Sequence, residues 1–159
     1  MGFAPSSLQL TSPAFQPLGR IPKKHTGDGP DVSPALAWTN VPPGTKSFAL
    51  VCHDPDAPLV TPLAYGFTHW VLYNIPGAVT ELTEGADRYT SGVSSFGRPG
   101  YGGPLPPEHH GVHHYYFWLL ALDSATKLPA GLSLQELFAA IEPHVLGMNR
   151  LIGTYSRPS

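Results

Sequence analysis

Apolar residues along this chain gather in short runs rich in β-branched and aromatic side chains, each broken by proline or glycine. These runs predict strands over residues 7–11, 36–39, 46–53, 68–75, 112–123 and 150–155. Turn chemistry stands between them at Asp28-Gly29-Pro30, Val41-Pro42-Pro43-Gly44, Asp54-Pro55-Asp56-Ala57-Pro58 and Ile75-Pro76-Gly77. One helix is signed. Ser133 and Glu136 have capping-box spacing, and Leu134, Leu137, Phe138 and Ile141 recur with helical period. Pro143 then predicts a kink or break before Val145 and Leu146. Many strands, one late helix and no βαβ alternation predict a mainly β fold: an antiparallel two-sheet β-sandwich, with the C-terminal helix covering one edge or end. No repeat or linker divides the chain, so residues 1–159 read as one domain. The segment 80–107 is polar, rich in glycine and proline, and long for a passive connection, so it reads as a functional loop.

Composition narrows the function. Nineteen prolines and 17 glycines without a repeating period fit many tight turns. Nine Lys and Arg against 11 Asp and Glu give a net charge of −2, which provides no basic field and excludes nucleic acid as a partner. A single cysteine, Cys52, sits in an apolar run and excludes an internal disulfide framework. No run is long and apolar enough to predict a membrane-spanning helix, and Met1-Gly2-Phe3-Ala4-Pro5 lacks the basic and apolar regions of a signal peptide. The expectation is a cytoplasmic protein.

Three fragments carry chemistry. At 53–58 a strand stops in Asp-Pro-Asp-Ala-Pro, and Asp54 shares the parity of Phe48, Leu50 and Cys52, which turns it inward. The alternative for Asp54 is an Asp-Pro turn whose carboxylate caps its own backbone, and for this residue alone that is the better reading. His69 opens a strand and shares a face with Val71, Tyr73 and Ile75; in isolation it reads as a structural imidazole bonded to a nearby carbonyl. The third fragment is the loop Gly100–Pro107 running into His109, His110, His113, His114 and Tyr115. There the strand period places His113 and Tyr115 on one face, about 7 Å apart at the backbone. Glycine N–H groups, an imidazole and a phenol at one junction suggest a small pocket for an anion. The alternative is a turn and a core strand whose imidazoles are satisfied internally. The histidine cluster also invites a metal, but on a strand His113 and His114 diverge, and zinc wants three or four convergent ligands. No metal or other cofactor is expected. No activated serine, nucleophilic cysteine, phosphate loop or dinucleotide fingerprint is present, so the chain reads as a non-enzyme.

Together these fragments resemble the phosphatidylethanolamine-binding, or Raf kinase inhibitor-like, family in its shorter prokaryotic form. Matching pieces run from Leu10-Thr11-Ser12-Pro13 through Leu36-Ala37-Trp38 and Asp54-Pro55-Asp56-Ala57-Pro58 to His69-Trp70-Val71-Leu72-Tyr73-Asn74, Gly100–Pro107 and Gly111–Asp123. The resemblance implies a β-sandwich with a cavity at one end. It places Asp54, His69, His113 and Tyr115 in the pocket and Pro58, Gly103, Pro106 and Pro107 in its wall. It implies a non-catalytic protein binding a phosphate-like anion or a phospholipid head group, with homodimerisation as a further expectation. The alternative function is inhibition of a kinase or serine protease by protein–protein contact through the 80–99 loop, with the pocket as a regulatory site. A weak hydrolase using Asp54 and a histidine stands third. The chain departs from the family at His25-Thr26-Gly27, where an aromatic-Thr-Cys is usual, at Leu105, where many relatives carry cysteine, and at Ser94-Ser95, where Asn or Asp is common before Phe96-Gly97. Imidazoles donating to an anion would give binding that strengthens as pH falls through about 6.5.

Overall fold

A computed structural model describes residues 4–57 and 66–157. The strands are β1 (Gln9–Thr11), β2 (Leu36–Thr39), β3 (Ser47–Asp54), β4 (Phe67–Pro76), β5 (Glu81–Leu82), β6 (Thr90–Ser91), β7 (His113–Leu122) and β8 (Val145–Tyr155). They form two antiparallel sheets, one of order β1-β2-β5 and one of order β6-β4-β3-β7-β8. The sandwich matches the expected class.

Strand β3 is buried along both faces, and its alternation writes two cores. Phe48, Leu50 and Cys52 face the small sheet, where they meet Leu10, Leu36 and Trp38. Ala49 and Val51 face the other way and pack with Val71, Tyr73, Leu120 and Leu122 under the helix α1 (Leu134–Ile141). The helix therefore lies on the outer face of the large sheet rather than at an edge or end. Its position follows from the apolar residues on both faces of the central strands, which need cover on each side. The capping box forms as read, with Glu136 N–H donating to Ser133 Oγ at 3.1 Å and Ser133 N–H to Glu136 Oε1 at 2.9 Å. Pro143 breaks the helix. One 3₁₀ turn, Glu142–His144, follows, and β8 begins at Val145, five residues earlier than the sequence predicts. That longer strand pairs with the whole of β7.

Two irregularities in β4 matter for the site. Cys52 pairs with Trp70 and His53 with Thr68, so His69 is an extra residue between two register positions. A second shift lies between the pairs Phe48–Ile75 and Leu50–Leu72, beside Asn74 at φ 57°. The expected face shared by His69, Val71, Tyr73 and Ile75 is broken at both ends. Val71 and Tyr73 stay under the helix, Ile75 returns to the inter-sheet core, and His69 turns toward Tyr115. The 80–107 segment is likewise less open than its composition suggests. It contains β5 and β6, and Gly92 and Val93 donate backbone hydrogen bonds to Val71 and Leu132.

Candidate functional site

Antiparallel pairing brings the end of β3 beside the starts of β4 and β7, because Asp54 pairs with Phe67 and His53 with Tyr116. A cavity of about 270 Å³ opens at this end of the large sheet. Six of the expected residues line it: Asp54, His69, Pro106, Pro107, His113 and Tyr115. Asp54, His69, His113 and Tyr115 are all buried.

The two readings of Asp54 both hold. Oδ1 accepts the Asp56 N–H at 2.7 Å, which is the backbone-capping turn, while Oδ2 lies 2.6 Å from Nδ1 of His113. A carboxylate oxygen acceptor requires His113 to carry its proton on Nδ1, and the carboxylate is thereby consumed within the protein. Nε2 of His113 lies 2.8 Å from Nδ1 of His110, on the exposed turn before β7.

His69 is also both structural and lining. Its Nδ1 donates to the Gly102 carbonyl at 2.7 Å, so Nε2 bears a lone pair. Burial pushes its pKa down to about 4, against the opposing hydrogen bond to Gly102 and the charge of Asp54. The ring is neutral at physiological pH. It can accept a hydrogen bond in the pocket but cannot donate one, which corrects the donor role expected for it. Tyr115 behaves oppositely. Burial, with the charge of Asp54 adding to it, raises the phenol's pKa well above its usual value, so the O–H stays protonated. No hydrogen bond engages that hydroxyl among the described residues.

Gly103 does not present its N–H to the pocket as expected. The N–H donates to Asp31 Oδ1 at 2.7 Å, and a Cβ at this position would overlap the His25 carbonyl oxygen. Glycine is required by that close approach. The same loop is pinned by Gly27 N–H to the Pro104 carbonyl at 2.8 Å and by Tyr101 O–H to the His25 carbonyl at 2.6 Å. Pro58 lies outside the described residues.

Phe67, Phe96 and Leu105 complete an apolar rim that the sequence reading did not assign. Phe67 had a legible signal, since it stands two residues from His69 on one strand; Phe96 is brought in only by tertiary folding. Its ring meets His69 edge-on at 5.6 Å and Phe67 at 4.7 Å. Leu105 faces Gly27: a Cβ built on Gly27 would lie 3.0 Å from Leu105 Cβ. Two of the departures from the family pattern are thus neighbours, and the larger side chain at one position fills the space left by the smaller at the other. His114, on the opposite face of β7 from His113, pairs with Asp56 at 2.7 Å. Burial opposes ionisation of Asp56, but the His114 ring and backbone N–H hold its carboxyl below the usual range. Among the described residues no three His, Cys, Asp or Glu side chains converge as metal ligands, and no helix is long and apolar enough to cross a membrane.

The fold is thus an antiparallel two-sheet β-sandwich with an apolar-rimmed pocket at one end, built around a buried Asp–His pair, and known proteins share this architecture. The sequence model described as phosphatidylethanolamine-binding protein matches residues 11–156. The chain belongs to that family. It is 43% identical over 157 residues to a UPF0098 protein of Methanothermobacter thermautotrophicus, covering 94% of this chain and 99% of that one. A UPF0098 protein of Aquifex aeolicus is 41% identical over 157 residues, with 94% and 89% covered. Among solved structures, a phosphatidylethanolamine-binding protein homologue from Chlamydia trachomatis superposes with TM-score 0.88 at 36% identity, covering 94% and 97%. Escherichia coli YbcL superposes with TM-score 0.86 at 30% identity, covering 96% and 99%.

Proposed function

We propose that this protein is a non-catalytic binding protein whose end pocket takes a phosphate-like oxyanion carrying its own hydrogen-bond donor. The observation that carries the reading is the complementary pair of free polar groups in the cavity. Tyr115 offers an O–H that donates, and His69 offers an Nε2 lone pair that accepts. A phosphate monoester meets both with a P–O⁻ and a P–OH, and an ethanolamine phosphodiester meets both with P–O⁻ and its ammonium. Inorganic phosphate and a phospholipid head group share this chemistry. The apolar rim of Phe67, Phe96 and Leu105 suits an uncharged substituent. No Lys or Arg lines the pocket among the described residues, so affinity is modest, about millimolar to micromolar.

An amide NMR titration with phosphate and phosphoethanolamine at about pH 6 tests this reading. Saturable shifts clustered around residues 54, 69 and 113–115 are expected, lost in His113→Ala and weakened in the conservative Tyr115→Phe. Absent or scattered shifts overturn it.

A second reading is favoured by the exposure of Phe96 (37%), Leu105 (48%) and Val112 (56%). Such an apolar surface suits docking on a kinase or serine protease, with the pocket regulating it. Inhibition that is lost in Val112→Ser, outside the cavity lining, while phosphate still binds would favour this reading over the first.

A further inference from the structure

We propose that a second cavity, bounded by Asp31, Ser33, Trp70, Asp87 and Tyr101, is a binding site for a small neutral polyhydroxyl ligand of monosaccharide size. This site does not depend on the anion-binding role proposed above. The cavity has a volume of about 360 Å³, within the range of small-molecule sites. Residues 85–87 and 99–101 form part of its wall. They belong to the 80–107 segment, which reads as functional from its length and composition and reaches the end pocket only through Phe96, Leu105, Pro106 and Pro107.

Two buried donors at this cavity lack partners. Trp70 is 1% exposed and Ser33 3%, and no hydrogen bond engages the Trp70 indole N–H or the Ser33 hydroxyl among the described residues. Neither atom is sealed in, because the one fully enclosed, unpartnered polar side-chain atom among those residues is His25 Nε2. The little surface that each residue keeps therefore includes its polar atom, and both residues line this cavity. A buried indole N–H or hydroxyl ordinarily finds a partner. Trp38 does, donating to the Val79 carbonyl at 3.0 Å. The unpartnered pair at Trp70 and Ser33 marks where ligand atoms belong.

Carboxylates supply the matching acceptors. Asp31 sits at φ 61°, and its Oδ1 accepts the Gly103 N–H at 2.7 Å. That bond fixes the side chain and leaves Oδ2 without a hydrogen-bond partner among the described residues. The Asp87 side chain has no hydrogen bond or ion pair among them, and no Lys or Arg lines the cavity there. Tyr101 is held as a wall, its ring edge-on to Trp70 at 5.3 Å and its O–H donated to the His25 carbonyl at 2.6 Å.

These groups select a ligand class. An indole N–H only donates, so the ligand must bring an acceptor; carboxylates only accept, so it must bring donors as well. A simple ammonium offers no acceptor, and an anion meets two carboxylates. A hydroxyl does both, and neighbouring hydroxyls on one ring can donate to a carboxylate while accepting the indole N–H. At 1% exposure Trp70 has no ring face to offer, so a flat ligand that binds by stacking has no platform on it. Ser91, half-buried in the lining, adds a further hydroxyl. The ligand is neutral, compact and rich in hydroxyls.

The test reads the indole N–H signals of Trp38, Trp70 and Trp118 by ¹H–¹⁵N NMR, with Trp70→Phe identifying the signal of Trp70. The probes are D-glucose, D-galactose, D-mannose and myo-inositol, each titrated to about 50 mM. At least one is expected to move the Trp70 signal saturably, with a Kd of about a millimolar, while the Trp38 signal stays still. Asp31→Asn keeps an acceptor for the Gly103 N–H and a residue type that tolerates the left-handed backbone, but it loses one carboxylate oxygen. Affinity for that probe should fall about tenfold. Ser33→Ala removes a hydroxyl without a partner, so the urea midpoint should hold while affinity falls about fivefold. Tyr115→Phe, in the end pocket, should leave sugar affinity unchanged, so this site and the anion site stand or fall separately. No Trp70 shift with any of the four probes overturns the proposal. A Trp70 shift produced by methylammonium or phosphate and by none of the sugars also overturns it, as does a sugar affinity indifferent to both Asp31→Asn and Ser33→Ala.

Discussion

Asp54 and His113 stand 59 positions apart in the chain, yet His113 Nδ1 lies 2.6 Å from Asp54 Oδ2 with both side chains almost wholly buried. The pair closes one end of the sandwich, and each partner is what makes burial of the other tolerable. Removing one leaves an uncompensated group in a dry site. Asp54→Ala also uncaps the Asp56 N–H. It is expected to cost about 3 kcal/mol, read as a lower urea midpoint at unchanged slope. A loss below about 1 kcal/mol would mean that the pair is open to water in solution.

Tyr115→Phe separates binding from stability. The hydroxyl has no hydrogen-bond partner among the described residues, so its removal should change stability by no more than about 0.5 kcal/mol. Phosphate affinity should fall about tenfold, which corresponds to roughly 1.4 kcal/mol for one donor to an anion. Unchanged affinity in a folded variant would remove Tyr115 from the site.

The Nε2 lone pair of His69 should discriminate between anions of the same shape. Phosphate near neutral pH carries a P–OH that satisfies this acceptor, whereas sulfate does not and leaves two lone-pair groups face to face. Competition titrations are expected to show phosphate at least tenfold tighter than sulfate at about pH 6. Equal affinities would indicate a protonated His69, contrary to its burial.

Acid should destabilise the protein through the same residue. His69 has a folded pKa of about 4, below the ordinary value of about 6.5. Between these two values the unfolded chain binds a proton that the folded one does not. Stability therefore rises with pH across this window, falls as pH drops from about 6.5 to 4, and is level with respect to this group below it. The full effect is about 3 kcal/mol. Urea midpoints against pH should show a shallower slope in His69→Phe, which keeps the ring packing on Phe67, Phe96 and Tyr115 but has nothing to titrate.

Gly27 and Leu105 give a prediction of a different kind. A Cβ on Gly27 would lie 3.0 Å from Leu105 Cβ, about half an ångström inside the range a disulfide spans, and the exposed loop around Leu105 is free to back away by that much. The double variant Gly27→Cys/Leu105→Cys should cross-link under mild oxidation, seen as a two-proton mass loss that reductant reverses. Cys52, fully buried with its thiol pKa pushed up by that burial, should stay unreactive toward thiol reagents in the folded protein.

Much of this was present in the one-dimensional pattern. Alternation along 46–53 set both faces of β3, the Ser133–Glu136 spacing set the start of the helix, and the strand period alone put His113 and Tyr115 side by side. Residue type and local period determine such features, because neighbours along the chain are neighbours in space. The proton positions were decided elsewhere. A bulge at His69 turned it from the helix side to the pocket, and the carbonyl of Gly102, 33 positions away, made it an acceptor. Asp31 took the Gly103 N–H from the cavity, and His110 reached the free nitrogen of His113. Each of these depends on which partner arrives from a distant segment. Hydrogen-bond direction in a buried site is fixed by that partner, so only the assembled tertiary structure could assign donor and acceptor.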